Sequence, residues 1–266
     1  MVAAVRLRSA VALLGGFPVL AGASLDVRPG EVVLLQGANG AGKTSLLRTC
    51  AGLLPIVSGR AEVLGCDLTV DRRSVRRRVG LMGHATALYD DLTVEDNVRF
   101  AVRAAGGAVS AIDPALARLG LDGRLRSVHV ARLSAGQRRR TALAALVARQ
   151  PELWLLDEPH AGLDAEHRDL LDDIIRQAVA GGAAVLMASH ERDRASALAD
   201  RVLTVAGGLV LPPDPGAAAA TGTGIETGAP DATPDVPSTD RGASDPGAAR
   251  GAGISHPHVL EVSHVA

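Results

Sequence analysis

The sequence contains few aromatic residues and few cysteines, and its positive and negative charges nearly balance. Aromatic residues make up only 2% of the 266 residues, so the core is predicted to be aliphatic. The two cysteines, Cys50 and Cys66, lack metal-ligand spacing; they fit a reduced cytoplasmic setting and exclude a disulfide framework. A formal net charge of −1 provides no electrostatic attraction to nucleic acid, and we expect no nucleic-acid partner.

Long apolar runs are also missing. The uncharged residues 9–25 follow Arg6 and Arg8, a pattern that resembles a secretory signal peptide. The run is also shorter than the roughly 20 residues that a membrane-spanning helix needs. Gly15, Gly16 and Pro18 interrupt the run, which favours antiparallel strands in this region. Any membrane role is therefore expected to come through a partner.

Lysine is nearly absent: of the 28 lysines and arginines in the sequence, Lys43 is the only lysine. It lies in the segment GANGAGKT, residues 37–44, which matches the phosphate-loop pattern GxxxxGK[ST] and follows the apolar run VVLL. A buried strand, a glycine-rich loop and a helix N-terminus together form an anion site. Lys43 is predicted to reach the outer phosphates of a nucleotide and Thr44 to ligate Mg²⁺. The predicted nucleotide-binding residues of this loop are Gly37, Ala38, Asn39, Gly40, Ala41, Gly42, Lys43, Thr44 and Ser45.

A second buried strand is predicted at residues 153–157, and it ends in two acidic residues. An aspartate at the end of such a strand, beside a phosphate loop, can hold Mg²⁺. This predicts Asp157 as a metal ligand and the adjacent Glu158 as the residue that orients or deprotonates an attacking water.

Two further segments carry polar groups that suit a nucleotide site. In LSAGQ, residues 133–137, Ser134 is a natural N-cap for the amphipathic run that follows, and the small residues beside it would let a phosphate approach the helix N-terminus. His190 ends the strand that follows the acidic pair, where it could reach a γ-phosphate.

The chain is predicted to divide at about residue 211. Residues 85–150 contain helical patterns with glycine breaks, which indicate an inserted helical lobe, and residues 201–211 predict a hairpin that turns at Gly207 and Gly208. From residue 212 to 266 the composition shifts to Pro, Gly, Ala, Thr and Asp, so this tail is predicted to be disordered.

The ordered set of phosphate loop, residues 133–137, the segment LDEP at 156–159 and His190 resembles the ATP-binding subunits of ABC transporters. The resemblance covers most of residues 1–211. It implies an α/β P-loop NTPase fold of ABC type, with a RecA-like core, an antiparallel β subdomain and a helical subdomain that meets integral membrane permease subunits. It also implies ATP and Mg²⁺, and a head-to-tail homodimer in which Ser134 and Gly136 of one copy complete the ATP site of the other.

Within this family the chain resembles the haem-export or cytochrome c maturation ATPases, the CcmA family. The segments GLMGH (80–84), LSAGQRRR (133–140) and LWLLDEP (153–159) carry this likeness. Most ABC ATPases have glutamine where His84 stands, and the sequence leaves open whether His84 takes over its Mg²⁺-sensing role. The resemblance adds Gln137 and Asp164 to the nucleotide-binding set, and Phe17 as a candidate for stacking on adenine.

These observations predict an ATP-hydrolysing subunit, peripheral on the cytoplasmic face of the inner membrane, that powers an exporter in cytochrome c biogenesis. Two alternatives remain at this point. One is an exporter ATPase for another cargo, such as a drug or a polysaccharide. The other is a soluble ABC ATPase of the iron–sulfur assembly type.

Overall fold

The structure is a computed structural model that describes residues 3–211, so the predicted tail at 212–266 lies outside the described residues. The strands are β1 (Val5–Leu14), β2 (Phe17–Val27), β3 (Val32–Gln36), β4 (Ile56–Val63), β5 (Cys66–Asp67), β6 (Val79–Met82), β7 (Leu153–Asp157), β8 (Ala184–Ala188), β9 (Arg201–Ala206) and β10 (Leu209–Leu211). The α-helices are α1 (Lys43–Cys50), α2 (Leu68–Asp71), α3 (Val94–Ala105), α4 (Ile112–Arg118), α5 (Ala135–Arg149), α6 (Ala165–Ala180) and α7 (Arg192–Leu198). Short 3₁₀ turns occupy Ser74–Arg77, Val109–Ala111, Gly123–Ser127 and Val130–Arg132.

The larger sheet has the strand order β10-β9-β3-β8-β7-β6. All neighbours in it pair in parallel except β9 and β10, which form the predicted hairpin at Gly207 and Gly208. The register pairs Leu35 of β3 with Ala188 of β8, and Ala188 with Asp157 of β7. The carboxyl ends of these three strands therefore lie at one level along one edge of the sheet, with the end of β6 beside them.

The smaller sheet is antiparallel, with the order β2-β1-β4-β5. β1 and β2 form the hairpin expected from the break at Gly15 and Gly16. β4 begins at Ile56, earlier than the predicted start at Gly59, because its first residues pair with the distal half of β1 across a register irregularity.

Two apolar clusters lie on opposite faces of the larger sheet. The strand β7 is buried along its whole length: Leu153 and Leu155 pack in the cluster shared with the smaller sheet, and Trp154 and Leu156 in the cluster shared with the helices. This explains why its sequence is a continuous apolar run without alternation. Within residues 3–211 Trp154 is the only buried aromatic residue, so the core is aliphatic as predicted.

The helices α3, α4 and α5 connect β6 to β7, and α6 follows β7. Two of the predicted site residues, Ser134 and Asp164, cap the N-termini of α5 and α6. Ser134 caps α5: its Oγ accepts from the N–H of Gln137, whose side chain accepts from the Ser134 N–H, which is a complete capping box. Asp164 caps α6 by accepting from the N–H of His167.

The close packing at Gly80 in β6 gives a test of the helix-facing cluster. A Cβ at this position would lie 2.2 Å from Leu146 Cδ1 and 2.7 Å from Pro151 Cγ. We expect Gly80→Ala to lower the free energy of unfolding by about 1–3 kcal/mol, because overpacking forces neighbouring side chains to shift. Urea denaturation measures the change.

Gly83 is the matched control, since a Cβ there meets only Ala85 O at 3.8 Å. Gly83→Ala should stay within about 0.5 kcal/mol of the wild type. Equal destabilisation by the two variants would contradict the packing argument.

Candidate active site

The phosphate loop joins β3 to α1 in a conformation that needs glycine. Gly37, Gly40 and Gly42 have φ angles of 146°, 77° and 111°, which side-chain-bearing residues rarely adopt. A Cβ on Gly37 would also lie 2.1 Å from the Val205 carbonyl oxygen of β9. Among residues 3–211 no side chain caps α1, so its first N–H groups face the loop. Unpaired N–H groups at a helix N-terminus favour an anion.

The ammonium group of Lys43 lies inside this loop. Its Nζ donates to the carbonyl oxygens of Gly37 at 2.8 Å and Ala38 at 3.0 Å, and the residue is only 8% exposed. An ammonium has three N–H donors, so two hold the loop and one is available to a phosphate oxygen.

Thr44 and Asp157 bring a hydroxyl and a carboxylate together. Thr44 Oγ1 donates to Asp157 Oδ2 over 2.7 Å, and Asp157 is 8% exposed. Mg²⁺ prefers oxygen ligands and usually completes its shell with phosphate and water, so this pair fits the ion. Within the described residues no cluster of three or more His, Cys, Asp or Glu side chains could hold a metal, so phosphate and water would have to supply the remaining ligands.

Glu158 is fixed next to this pair by its backbone and its side chain. Its N–H donates to the Ala188 carbonyl over 2.8 Å, which extends the β7–β8 ladder by one residue. Its Oε2 accepts from the His190 N–H at 2.9 Å, and its Oε1 lies 3.4 Å from His190 Nε2. The φ angle of Glu158 is 51°, an uncommon value for a residue with a side chain. Strained backbone of this kind persists only where neighbouring contacts hold it.

These groups line one cavity of about 570 Å³ at the carboxyl edge of the larger sheet. The predicted residues that line it are Asn39, Gly40, Ala41, Gly42, Lys43, Thr44, Ser45, His84, Asp157, Glu158 and His190. The hairpin turn also contributes, because Gly208 donates its N–H to the Ala41 carbonyl over 2.9 Å and lines the cavity with Gly207. Sequence patterns predicted this turn but not its contact with the phosphate loop.

The remaining predicted residues do not line that cavity. Ser134 and Gln137 bond to each other in the α5 capping box, and a Cβ on Gly136 would lie 3.5 Å from the Gly162 carbonyl oxygen, in the loop that leads to Asp164. Phe17 is 75% exposed at the start of β2, next to Pro18 of the cavity wall. The single chain thus carries two separate groups of predicted nucleotide-binding residues.

Arg139 is a buried charge at the site that the sequence patterns missed. It is 5% exposed, and its guanidinium donates to the carbonyl oxygens of Gly83, Asp157 and Glu158. Burial lowers the pKa of Arg139, and the nearby carboxylates of Asp157 and Glu158 oppose this shift. Arg139 lies between two other arginines in the sequence, so the local pattern does not show that it is buried. Its position on α5, which turns the side chain toward the strand ends, makes the difference.

A second missed network supports the segment after His190. His160 is buried, and its Nε2 lies 2.7 Å from Asp172 Oδ1. The other oxygen of Asp172 accepts from Arg194 of α7, which also donates to Asp169 over 2.9 Å. These contacts tie α7, and with it the loop that carries His190, to α6.

Comparison with known proteins agrees with this geometry. A family model described as ABC transporter matches residues 20–161. The chain belongs to the ABC transporter family. Within the described residues, 3–211, no helix has the length and hydropathy needed to cross a membrane.

Curated relatives narrow the membership to the CcmA family. The cytochrome c biogenesis ATP-binding export protein CcmA of Bordetella bronchiseptica is 42% identical over 169 residues, which cover 62% of this chain and 75% of the relative. The protein of the same name from Cupriavidus pinatubonensis is 36% identical over 201 residues, covering 75% of this chain and 87% of the relative.

Solved structures confirm the α/β P-loop NTPase fold of ABC type. An ATP-binding subunit of an ABC transporter superposes with a TM-score of 0.72 at 26% identity, covering 77% of this chain and 87% of that one. A dimeric ATP-binding cassette in a post-hydrolysis state, bound to ADP and Pi, superposes with a TM-score of 0.70 at 21% identity, covering 77% of this chain and 96% of that one. The second likeness is evidence for the fold alone.

The two loop contacts of Lys43 lead to a test of nucleotide binding. We expect Lys43→Ala to weaken ATP binding on the order of tenfold or more, because the charge-assisted bond to phosphate is lost. Lys43→Arg should also bind weakly, since a planar guanidinium does not fit between the Gly37 and Ala38 carbonyls. Equilibrium binding of a fluorescent ATP analogue reports both. Arg48→Ala, an exposed change in the last turn of the same helix, should bind as the wild type does, and equal losses in all three variants would contradict the assignment.

Proposed function

We propose that the chain is the ATP-hydrolysing subunit of an exporter that serves cytochrome c biogenesis. The observation that carries the proposal is the cavity in which the phosphate loop, the Thr44–Asp157 pair and the Glu158–His190 pair face one another. Family membership supports ATP hydrolysis as the reaction. The printed names of the CcmA relatives support the cytochrome c assignment over a drug or polysaccharide exporter and over an iron–sulfur assembly ATPase.

The phosphates of ATP would lie in the loop, on the N–H groups of α1 and the free N–H of Lys43. Thr44 and Asp157 would hold Mg²⁺, whose chemistry when bound is the neutralisation of charge on the phosphate oxygens. Water attacks the γ-phosphorus, its proton passes to the Glu158 carboxylate, and the bond to the β–γ bridging oxygen breaks to release ADP. His190 is suited to contact the γ-phosphate because its side chain is 57% exposed beside Glu158.

A second copy would complete the site. The group formed by Ser134, Gly136 and Gln137 lies outside the cavity of its own chain, which supports its use on the nucleotide of a partner copy. In a head-to-tail dimer each chain then provides the phosphate loop for one ATP and the N-terminus of α5 for the other. ATP binding would close the dimer, and hydrolysis would release it.

The domain that does this work would be residues 1–211, with residues 85–150 as the lobe that meets integral membrane permease subunits. The protein would then be peripheral on the cytoplasmic face of the membrane. His84 lines the cavity at the end of β6, at the start of this lobe, which supports a role in linking the site to the permease.

Glu158→Gln tests the assignment of the base. The amide keeps the size of the side chain but cannot take a proton, so we expect ATP binding to persist while turnover falls on the order of a hundredfold. ATP should then hold the variant as a dimer, measured by size-exclusion chromatography with light scattering. Asp173→Asn, an exposed change on α6 at a carboxylate that pairs with Arg176, is the control and should hydrolyse ATP at the wild-type rate. Phosphate release by Glu158→Gln at the wild-type rate would overturn the assignment.

The cargo assignment requires a test in cells. Deletion of the gene should abolish haem-stained c-type cytochromes, and the wild-type chain but not Lys43→Ala should restore them. The full-length protein, purified from membranes in detergent, should bring permease subunits with it. Normal c-type cytochromes in the deletion strain would instead favour another cargo, and recovery in a soluble complex without permease subunits would favour the assembly type.

A further inference from the structure

We propose that Arg139 is a positioning residue for hydrolysis, which holds the backbone of Glu158 and connects it to the helix that begins at Ser134. The inference rests on the proposed ATPase function. Arg139 lies outside the phosphate loop, the acidic pair and the LSAGQ segment, so it is an additional residue for the proposed reaction.

The first argument is the set of carbonyl groups that Arg139 contacts. One guanidinium nitrogen donates to Gly83 O over 2.6 Å, and the other lies 3.4 Å from Asp157 O and also donates to Glu158 O. Gly83 follows the end of β6 and precedes His84, whereas Asp157 ends β7 and Glu158 follows it. A single side chain thus joins the ends of two neighbouring strands, directly behind the proposed base.

The second argument is the conformation of Glu158. Its φ of 51° is strained for a residue with a side chain, so the segment needs contacts that keep it there. The Glu158 N–H is held by Ala188 O, and the Glu158 carbonyl accepts from Arg139 and, over 3.2 Å, from the Ala161 N–H of its own loop. With both peptide groups fixed, the carboxylate keeps its place beside His190. Without Arg139, the Glu158 carbonyl keeps only the local bond from Ala161 and loses its connection to α5.

The third argument is charge. Two carboxylates, of Asp157 and Glu158, would face a triphosphate at this edge of the sheet, and like charges repel strongly where water is excluded. Arg139 brings a buried positive charge close to both. Its planar fork can donate to several carbonyls at once, which an ammonium group cannot do with the same geometry.

The fourth argument is the direction in which the Arg139 side chain points. Successive residues on a helix point about 100° apart, so the three consecutive arginines of α5 reach different partners. Arg138 pairs with Asp90, and Arg140 donates to Leu119 O over 2.9 Å. Only Arg139 points to the strand ends. Because α5 starts at the proposed contact with the ATP of a second copy, Arg139 connects that contact to the base of its own chain through one helix turn.

Arg139→Gln and a matched control, Arg149→Gln, test the inference in the full-length protein. Arg149 lies on the same helix, is half-buried, and donates to Arg76 O and Val79 O, at the opposite end of β6. Both side chains donate to backbone carbonyls beside β6, so we expect the loss of either to lower Tm. We expect Arg139→Gln to lower kcat for ATP at least tenfold with the Kd for ATP changed less than threefold. Arg149→Gln should keep kcat within threefold of the wild type at a similar loss of Tm.

Arg139→Lys covers the case in which Arg139→Gln does not fold. It keeps the charge but not the fork, so we expect a kcat between those of the wild type and Arg139→Gln, or at least fivefold below the wild type if the glutamine variant is unfolded. A folded Arg139→Gln with kcat within threefold of the wild type would overturn the inference. Equal losses of kcat in Arg139→Gln and Arg149→Gln would do the same. If the wild type itself hydrolyses no ATP, the proposed function fails first, and this inference fails with it.

Discussion

Parallel pairing of β3, β8, β7 and β6 is the constraint on which the site depends. Parallel strands of equal register end at one edge, where their last peptide groups lack ladder partners. Here each of the four ends carries a group that we propose for phosphate chemistry: the loop after β3, His190 after β8, the acidic pair after β7 and His84 after β6. Short loops are sufficient to bring these groups together, because the pairing of the strands places the strand ends side by side. The guanidinium of Arg139 and the N–H of Gly208 then bond to carbonyl groups of the loops at this edge.

The residues that cap α5 and α6 have a structural role besides the nucleotide contact that we propose for them. The Ser134 hydroxyl accepts a bond from Gln137, which uses one of its lone pairs and leaves its O–H donor free. A phosphate at the helix N-terminus could take that donor without disturbing the cap. Asp164 likewise fixes α6 through His167. Their presence in the sequence therefore has a structural reason that holds even for an isolated chain.

Local patterns predicted the parts of the fold that depend on local chemistry. The glycines of the phosphate loop, the apolar run of β7 and the turns at Gly15 and Gly207 each specify a backbone path within a few residues, and the structure contains them. The start of β4 was predicted too late, because pairing with a distant part of β1 sets it. Arg139 lies in an arginine run that reads as a solvated face, and its three partners are far away in sequence. The His160–Asp172–Arg194 network was missed for the same reason. The φ of Glu158 is a consequence of tertiary contacts that no local propensity encodes.

The scarcity of lysine has a chemical consequence that concerns the protein's exposure to its surroundings. Primary amines react as nucleophiles with electrophiles such as acyl phosphates and aldehydes, and Lys43 is the only side chain in the sequence that carries a primary amine. That target is 8% exposed and its ammonium group donates to two carbonyl oxygens, so the folded chain restricts the access of such compounds to it. Where one adduct would be enough to disable the protein, the fold protects the only lysine that could form it.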